Sequence, residues 1–299
     1  MDHVIESQQF DRKIIKLLFK TADSFLKSRK NPLKGKIMAS LFHEPSTRTR
    51  FSFESAMLRL GGKVISTENA SEFSSAAKGE TLEDTIRVMS QYADIIVLRH
   101  PKQGASKRAA AVSEVPIINA GDGAGQHPTQ ALLDLYTIQK ELGKIDGIHI
   151  ALVGDLKNGR TVRSLAYLLG KYKDISVTFI SPKPLRIGFD IKKYLDQHNV
   201  IWEEQEKWDG ILKNMDVIYQ TRIQKERFKK AGDYKKFKGK YILTLKEVKQ
   251  MKKNSVIMHP LPRVDEIATE VDASPKAAYF RQAKYGLLVR MALLQFLLK

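Results

Sequence analysis

Short apolar runs alternate along the chain with segments in which apolar residues recur at helical spacing. The runs are 4–8 residues long, rich in Val and Ile, and lack the polar alternation of a half-exposed strand. This pattern is typical of strands buried on both faces, as in parallel sheets. Strands are therefore predicted at residues 37–42, 63–66, 94–99, 115–120, 148–155, 176–181, 216–221 and 255–259.

Helix signals fall between these runs. Thr81, with Asp84 three positions later, resembles a capping box before an apolar-periodic segment. Pro128 is placed to begin a helix that continues through Ile138, and Gly143 is placed to end it. Alternating strands and helices predict an α/β fold. Four predicted strands precede the Pro128 helix and four follow it, which predicts two doubly wound parallel-sheet domains joined by helices. The C-terminal helix could pack on either domain.

Composition excludes several classes of protein. The 299 residues are 42% apolar and 28% charged, a mixture that can bury a core, so a disordered chain is excluded. The absence of cysteine excludes disulfides, thiolate metal sites and cysteine nucleophiles, and favours a reducing compartment. The N-terminal residues show no signal pattern, and uncharged stretches reach only about 11 residues, whereas a membrane span needs ~20. We therefore expect a cytoplasmic protein with no membrane partner.

The chain is strongly basic. Its 51 Lys and Arg residues exceed its 33 Asp and Glu residues, which gives a formal net charge of +18. A solvated, lysine-rich surface is the plainest interpretation. Nucleic-acid binding is not favoured, because the basic residues are scattered and show no zinc-finger spacing, RNP pattern or basic-region heptad. Small anionic substrates are the third interpretation, and the motifs at the strand ends favour it.

The residues that follow each apolar run are the first candidates for a site, because parallel sheets bind ligands beyond the carboxyl ends of their strands. The first run is followed by Ser46-Thr47-Arg48-Thr49-Arg50 and then by a helical segment. Free amides, hydroxyls and two arginines at one helix N-terminus form an anion site. The alternative is an ordinary N-cap with surface arginines.

Later strand ends carry further candidates. Arg99 ends the third run beside His100-Pro101, and it could face either the same cleft or solvent. Three glycines precede His127, and they let backbone approach a ligand closely. At a helix N-terminus the dipole disfavours imidazolium, so we expect a neutral, hydrogen-bonding His127, with Gln130 one turn later. Arg160 follows the fifth run in a turn without Gly-x-Gly-x-x-Gly, which favours a carboxylate or phosphate ligand over a dinucleotide.

The last two strand ends are followed by polar or proline-rich loops. Arg222 and Gln224 follow the seventh run, and His259-Pro260-Leu261-Pro262-Arg263 follows the eighth. The prolines hold a rigid loop whose carbonyl groups could accept from a substrate N–H; an ordinary tight loop is the alternative. The sequence contains no Ser/His/Asp order, Walker loop or His–carboxylate metal spacing.

Taken together, these motifs resemble the aspartate carbamoyltransferase family, specifically its catalytic chains. The likeness extends from about Phe42 to Arg290, and its markers occur in order at strand ends and loops. Besides the stretches already given, the markers are Lys78-Gly79-Glu80, Leu98-Arg99-His100-Pro101, Asn119-Ala120-Gly121-Asp122-Gly123, His127-Pro128-Thr129-Gln130, Val153-Gly154-Asp155-Leu156-Lys157, Gly159-Arg160-Thr161 and Thr221-Arg222-Ile223-Gln224-Lys225-Glu226-Arg227.

The resemblance implies transfer of the carbamoyl group of carbamoyl phosphate to the amine of L-aspartate, which gives N-carbamoyl-L-aspartate and phosphate in de novo pyrimidine biosynthesis. It implies a carbamoyl-phosphate domain of residues 1–130 plus 278–299 and an aspartate domain of residues 131–277. It also implies a homotrimer with active sites shared between chains, without a metal or an organic cofactor. Whether separate regulatory chains associate stays open.

The resemblance also assigns the candidate residues to roles. Phosphate would be held by the stretch from Ser46 to Thr49 together with Arg99, and domain closure would involve ion pairs among Glu44, Arg160 and Arg227. The residues implied to be catalytic are Arg48, Thr49, Arg99, His127 and Lys78. The residues implied to bind substrate are Ser46, Thr47, Ser74, Gln130, Arg160, Arg222, Gln224, Leu261 and Pro262, with Ser74 and Lys78 donated by the neighbouring chain.

The predicted choice of substrate rests on charge. Aspartate brings two carboxylates, and Arg160 and Arg222 can each bind one of them. An ornithine-type transcarbamoylase must accept a second cation instead, and its His-Cys-Leu-Pro loop contains a cysteine that this chain lacks. The alternatives are a transcarbamoylase for another amino acid and, in a different class, a basic module that binds nucleic acid or other anions.

Overall fold

The structure, a computed structural model, describes residues 1–27, 31–68, 79–225, 228 and 234–299. Ser74, Lys78 and Arg227 lie outside the described residues. The chain divides into two compact units, one formed by Met1–Leu133 with Lys284–Lys299 and the other by Asp134–Ala283. The assignment of residues 1–130 plus 278–299 to carbamoyl phosphate and of residues 131–277 to aspartate stays a prediction.

The first unit contains a parallel sheet with the strand order β2-β1-β3-β4. Strands β1 (Ile37–Phe42), β3 (Ile95–His100) and β4 (Ile117–Asp122) are mostly buried, as their apolar runs predict. Strand β2 (Lys63–Glu68) lies at the edge of the sheet and is partly exposed. The bounds of β1 are as predicted, and the other three strands extend or shift by one or two residues.

Two helices of the first unit begin at residues whose side chains cap them. The side chain of Thr81 accepts a hydrogen bond from the Asp84 amide at 3.1 Å, which confirms the predicted helix start, and Asp11 accepts from the Ile14 amide at 2.7 Å. These contacts satisfy amides that have no partner within the helix. The helices are α1 (Arg12–Ser24), α2 (Thr47–Arg59), α3 (Leu82–Ser90) and α4 (Ala105–Ala110).

The second unit contains a parallel sheet with the strand order β7-β6-β5-β8-β9. Its strands are β5 (His149–Val153), β6 (Ser176–Ile180), β7 (Ile201–Gln205), β8 (Val217–Gln220) and β9 (Val256–Met258). Four strands were predicted here, and β7 was missed. It is a partly exposed edge strand that carries two glutamates, so it does not form an apolar run.

The remaining helices belong to the second unit or cross its boundary. Helix α5 (Pro128–Leu142) begins at Pro128 and ends before Gly143, whose φ is 75°, so both predicted ends are confirmed. The units divide within α5 and within α9 (Tyr279–Leu297). In the ranges that the structure describes, no helix is both long and apolar enough to cross a bilayer. The others are α6 (Arg160–Leu169), α7 (Phe189–Gln197) and α8 (Leu245–Gln250).

Each sheet has one place where the strand order reverses. In the first sheet it lies between β1 and β3, where Phe42 pairs with Arg99; in the second it lies between β5 and β8, where Val153 pairs with Gln220. At such a reversal the chain leaves neighbouring strands in opposite directions, and a crevice opens beyond their carboxyl ends. The predicted class, two parallel-sheet α/β domains joined by helices, is confirmed.

Candidate active site

The stretch from Ser46 to Thr49 begins α2 immediately beyond the end of β1. Ser46 occupies the N-cap position, but its side chain makes no capping hydrogen bond. An ordinary capping role therefore does not account for this serine. Thr49 is buried and Arg48 is exposed in the first turn of the helix. The amides and dipole of this helix N-terminus, together with these side chains, form an environment that favours an anion.

Arg50 has a different role from the one expected for the second arginine of this motif. Its Nη1 atom donates to Glu68 Oε2 at 2.7 Å, and its Nε atom lies 3.5 Å from Glu54 Oε1. Glu68 Oε1 also accepts from the Ser46 amide at 3.4 Å. Arg50 thus ties α2 to the edge strand β2 instead of adding a second cation to the anion site.

Arg99 lies at the reversal of the first sheet. Its Nη2 atom is 2.8 Å from Glu44 Oε1, and its Nη1 atom donates to the Ala120 carbonyl at 3.3 Å. Its own carbonyl accepts from the His43 amide at 2.9 Å. The guanidinium group thus contacts residues near the ends of β1 and β4, the strands on either side of β3.

Two histidines meet beside this arginine. The ring centroids of His43 and His100 are 4.9 Å apart, and the Lys102 amide donates to His100 Nδ1 at 3.0 Å. Burial, and then the neighbouring His100, lower the pKa of His43 to about 4. Burial also lowers the pKa of His100. No local sequence pattern indicates this pair, because its members are separated by more than 50 residues.

The glycine-rich loop after β4 closes around a buried carboxylate. Asp122 accepts hydrogen bonds from the amides of Gly104 at 2.8 Å and Gln126 at 3.0 Å. A Cβ atom at residue 125 would stand 2.6 Å from Asp122 Oδ1, and one at residue 123 would stand 2.6 Å from the Pro101 carbonyl. The glycines at these positions let the loop lie against the Asp122 carboxylate and the Pro101 carbonyl. The prediction from the sequence was that they let the backbone approach a ligand.

His127 ends this loop immediately before α5. It is 3% exposed, and its Nδ1 atom lies 3.4 Å from Thr129 Oγ1. Its carbonyl accepts from the Gln130 amide at 3.0 Å, which begins the helix. His127 thus lies at a helix N-terminus, as predicted, and both His127 and Gln130 are buried.

Arg160 and Arg222 follow the two strands that flank the reversal of the second sheet. Arg160 is the first residue of α6, and the Thr221 hydroxyl, beside Arg222, donates to the Val153 carbonyl at 2.8 Å. Gly154 has a φ of 117°, and a Cβ atom there would collide with the Thr221 carbonyl, so only glycine allows these two strand ends to approach. Both arginines and Gln224 are partly buried.

The proline-rich loop follows β9. Leu261 has a φ of 54°, the peptide bond between Leu261 and Pro262 is cis, and the Leu261 amide donates to His259 Nδ1 at 2.7 Å. The Nε2 atom of His259 lies 2.7 Å from Glu266 Oε1. Glu266 was not among the predicted residues. The sequence signal that could have indicated it is its position as an acidic residue three positions after the end of the loop. Leu261 is partly buried and Pro262 is exposed.

The structure places most of the predicted site residues at or beyond the carboxyl ends of strands in the two sheets. The first unit carries Ser46, Thr47, Arg48, Thr49, Arg99, His127 and Gln130, and the second carries Arg160, Arg222, Gln224, Leu261 and Pro262. Ser74 and Lys78 are outside the described residues. Among the residues that are described, no group of three or more His, Asp or Glu side chains is arranged to hold a metal ion.

Two family models together match nearly the whole chain. The model described as aspartate/ornithine carbamoyltransferase, carbamoyl-P binding domain, matches residues 2–140. The model described as aspartate/ornithine carbamoyltransferase, Asp/Orn binding domain, matches residues 146–297. The border between the two matches lies at the end of α5, close to the division between the two compact units.

Curated relatives point to one branch of this family. Aspartate carbamoyltransferase 3, chloroplastic, from Pisum sativum is 60% identical over 304 residues, which cover 100% of this chain and 78% of the relative. The aspartate carbamoyltransferase catalytic subunit of Methanocaldococcus jannaschii is 52% identical over 304 residues, which cover 100% of this chain and 98% of the relative.

Solved structures agree with these relatives. The catalytic subunit of M. jannaschii aspartate transcarbamoylase superposes with a TM-score of 0.91 at 51% identity, covering 99% of this chain and 98% of that chain. Aspartate transcarbamoylase from Trypanosoma cruzi, in complex with N-(phosphonacetyl)-L-aspartic acid, gives a TM-score of 0.95 at 44% identity, covering 100% and 96%. The chain therefore belongs to the aspartate/ornithine carbamoyltransferase family and, within it, to the aspartate carbamoyltransferase catalytic chains.

Proposed function

We propose that the protein transfers the carbamoyl group of carbamoyl phosphate to the amine of L-aspartate, with N-carbamoyl-L-aspartate and phosphate as products, in de novo pyrimidine biosynthesis. The observation that carries this proposal is the placement of Arg160 and Arg222 after neighbouring strands of the second sheet, where paired guanidinium groups suit a dicarboxylate. The T. cruzi relative has been solved with carbamoyl phosphate and aspartate together.

Carbamoyl phosphate binds to the first unit in this proposal. The amides and hydroxyl groups at the start of α2, with Arg48 and Arg99, hold the phosphate. Thr49, Arg99 and His127 donate to the carbamoyl oxygen, on which negative charge develops when the amine attacks. Removal of one such donor typically slows an acyl transfer by ~10²–10³.

Aspartate binds to the second unit. Arg160 and Arg222 each bind a carboxylate, and Gln224 adds a neutral donor beside them. The attacking amine must be neutral, and the departing phosphate can take its proton, so no protein base is required. Much of the rate then comes from positioning two bound substrates, an effect worth up to ~7–11 kcal/mol in favourable cases.

The carbamoyl NH2 group needs acceptors. Gln130 supplies a side-chain oxygen, and the Leu261 carbonyl, beside Pro262, supplies a backbone oxygen. The positive φ of Leu261 gives this carbonyl a direction that an ordinary extended loop would not have. An acceptor fixed in this way favours a carbamoyl group over an acetyl group, which has no N–H to donate.

The proposal includes a homotrimer with shared active sites, in which Ser74 and Lys78 act in the neighbouring chain. Two variants that are inactive alone, Lys78→Ala and His127→Ala, test this sharing. If sites are shared, refolding the two variants together regenerates some sites with neither substitution and restores activity. A mixture that stays inactive, although sedimentation shows mixed oligomers, contradicts shared sites. The M. jannaschii relative is named a catalytic subunit, which supports assembly into an oligomer.

The compartment is a further part of the proposal. We propose a cytoplasmic enzyme, in line with the cysteine-free composition, which requires no oxidising compartment. The pea relative is named chloroplastic. Cell fractionation followed by an immunoblot distinguishes the two locations.

The reaction is tested by a colorimetric assay of carbamoyl amino acid and phosphate, with aspartate and ornithine compared side by side. We expect product with aspartate and none above background with ornithine. Product with ornithine only would show that the paired arginines do not select the substrate. Release of phosphate without any carbamoyl amino acid would exclude the transfer itself.

A further inference from the structure

His259 is a buried histidine to which the proposed reaction assigns no role. It is 2% exposed and lies between the end of β9 and Leu261. Both of its ring nitrogens are engaged: Nδ1 with the Leu261 amide at 2.7 Å, and Nε2 with Glu266 Oε1 at 2.7 Å. A buried histidine with two short, directed contacts is oriented by them, and it orients its partners in turn.

The hydrogen bonds determine which nitrogen carries the proton. The Leu261 amide can only donate, so Nδ1 must accept and the ring proton must lie on Nε2. That proton points to the Glu266 carboxylate. An ionised carboxylate has no proton to donate and acts only as an acceptor. Burial alone would raise the pKa of Glu266, but hydrogen bonds from His259 and from backbone amides lower it. The Glu266 carboxylate thus favours the His259 tautomer whose Nδ1 atom can accept a hydrogen bond from the Leu261 amide.

Glu266 also closes the loop from its far side. Its Oε2 atom accepts from the Val264 amide at 3.2 Å and from the Asp265 amide at 3.3 Å. The Glu266 carboxylate therefore connects both ends of the loop. Its Oε2 atom binds the amides at the end of the loop, and its Oε1 atom binds His259 at the beginning. The backbone from Leu261 to Arg263 is held between these two attachments.

The base of the loop is anchored within the same compact unit. The His259 amide donates to Gln282 Oε1 at 3.0 Å, and Gln282 Nε2 donates to Asp134 Oδ1 at 2.6 Å. The other Asp134 oxygen accepts from the Tyr219 hydroxyl at 2.7 Å. Asp134, Tyr219 and Gln282 are 2% exposed or less. His259 is thus attached to rigid, buried parts of α5, β8 and α9.

Leu261 needs this support because of its backbone conformation. A φ of 54° is unfavourable for a bulky side chain such as that of Leu261, and such a conformation persists only where the surroundings impose it. The hydrogen bond from its amide to His259 Nδ1 fixes the peptide plane on one side of Leu261. That plane and the φ of Leu261 fix where its carbonyl carbon lies, and ψ then sets the direction of the carbonyl oxygen.

We propose that His259, oriented by Glu266, is a positioning residue that aims the Leu261 carbonyl at the NH2 group of carbamoyl phosphate. This inference rests on the proposed function. The His259 side chain does not itself touch the substrate: its ring is occupied on one side by the Leu261 amide and on the other by Glu266.

Two substitutions distinguish the contribution of the hydrogen bond at Nδ1 of His259 from that of the hydrogen bond at Nε2. In His259→Asn the side-chain oxygen stands near the place of Nδ1, so the acceptor for the Leu261 amide is kept. In His259→Gln the amide nitrogen stands near the place of Nε2, so the donor to Glu266 is kept and the acceptor is lost. We expect KM for carbamoyl phosphate to rise roughly three- to tenfold in the Gln variant, the effect of one hydrogen bond, and to change less in the Asn variant.

Inorganic phosphate is the matched probe, because it has no NH2 group. Its Kd should stay within about twofold of the wild-type value in both variants, since the helix N-terminus that binds it is in the other compact unit. Equal KM values for carbamoyl phosphate in the Asn and Gln variants would overturn the proposal. A parallel loss of phosphate affinity would overturn it as well, because that result indicates general loosening.

Nitrogen NMR of the wild-type protein tests the inference without any reaction. We expect the ¹⁵N shifts of His259 to show a neutral ring protonated at Nε2, and Glu266→Gln, which keeps the shape but removes the charge, to reduce that preference. A ring protonated at Nδ1 or at both nitrogens would overturn the proposal even if the His259 variants fail to fold. A wild-type protein that binds phosphate but transfers no carbamoyl group would overturn the proposed function, and the NMR result would still decide the tautomer.

Discussion

Arg99 and Glu44 form an ion pair at the reversal of the first sheet, with Arg99 Nη2 2.8 Å from Glu44 Oε1. Arg99 also donates from Nη1 to the Ala120 carbonyl. A guanidinium group has five N–H donors in a rigid plane, so these contacts orient it. The resemblance had paired Glu44 with Arg160 and Arg227 for domain closure, and that role stays a prediction.

The Glu44 carboxylate places a negative charge beside the proposed phosphate site. We expect Glu44→Gln to strengthen the binding of inorganic phosphate two- to fivefold at low salt, because the amide can still accept from Arg99 while the repulsion is removed. Titration calorimetry at two salt concentrations measures this change. Glu83→Gln, which removes the same charge from an ion pair with Arg108, is the control and should have little effect. Weaker phosphate binding in Glu44→Gln would show that the charge of Glu44 is needed to hold Arg99.

Arg222 provides a test of the aspartate site. We expect Arg222→Ala to weaken aspartate binding about ten- to a hundredfold, the loss of a charged hydrogen-bonding partner worth ~1.5–3 kcal/mol, and to leave carbamoyl phosphate binding unchanged. Isothermal titration with each substrate measures both affinities. Arg186→Ala is the matched control, because it removes an arginine of the same unit whose partner is Glu204, 3.5 Å away. An unchanged aspartate affinity in Arg222→Ala would refute the assignment.

Among the strands that the structure describes, the sequence predicted those that contain a Val- and Ile-rich run and missed β7, which has none. The continuous run of β1 is recognisable because both of its faces are buried, whereas β7 carries Glu203 and Glu204 at a sheet edge and shows no such run. Strand ends then locate the candidate site, since ligands of parallel sheets bind there. That rule marked Arg99 and Arg222 as strand-end candidates, and the family resemblance supplied the roles predicted for them.

What the sequence could not provide is the partner of each polar side chain. Arg48 and Arg50 are equivalent in the motif, and only the fold brings Glu68 of β2 against Arg50. Likewise, His259 and Glu266 are joined across a loop that has no periodicity, so no spacing rule connects them. Such pairs depend on long-range register and loop conformation, which a local pattern does not contain.

His43 should make stability depend on pH. In the unfolded chain a histidine takes up its proton near pH ~6.5, whereas the pKa of folded His43 is lowered to about 4, chiefly by burial. Between these two pH values the unfolded state binds more protons than the folded state. The free energy of unfolding therefore keeps its full value above pH ~6.5 and decreases as the pH is lowered, by up to ~1.4 kcal/mol per pH unit.

Replacement of His43 by Phe tests this dependence. The variant keeps an aromatic ring against His100 but cannot take up a proton, so we expect a smaller loss of stability between pH 7 and pH 5. Urea unfolding at several pH values measures the two slopes. At pH 8 and pH 9, above the pH range in which His43 contributes, the free energies of unfolding of wild type and variant should differ by the same amount. Identical slopes between pH 7 and 5 would show that the folded and unfolded states bind the His43 proton equally well.

Tyr219 tests the buried network under the proline-rich loop. It is fully buried, and burial, followed by the neighbouring Asp134, raises its pKa well above the usual value, so the hydroxyl remains a donor. Tyr219→Phe removes the donor to Asp134 Oδ2 and leaves a buried carboxylate with less compensation, so we expect a loss of ~1–3 kcal/mol in the free energy of unfolding.

Tyr194→Phe is the matched control for Tyr219→Phe. It deletes the same hydroxyl group from a half-buried position, where Tyr194 donates to the Tyr167 carbonyl at 3.1 Å. Water can replace that partner more easily, so we expect a loss below ~1 kcal/mol. Urea denaturation measures both variants, and the difference between them isolates the effect of burial. Equal losses would mean that Asp134 finds another donor when Tyr219 lacks its hydroxyl, and that the network under the loop can rearrange.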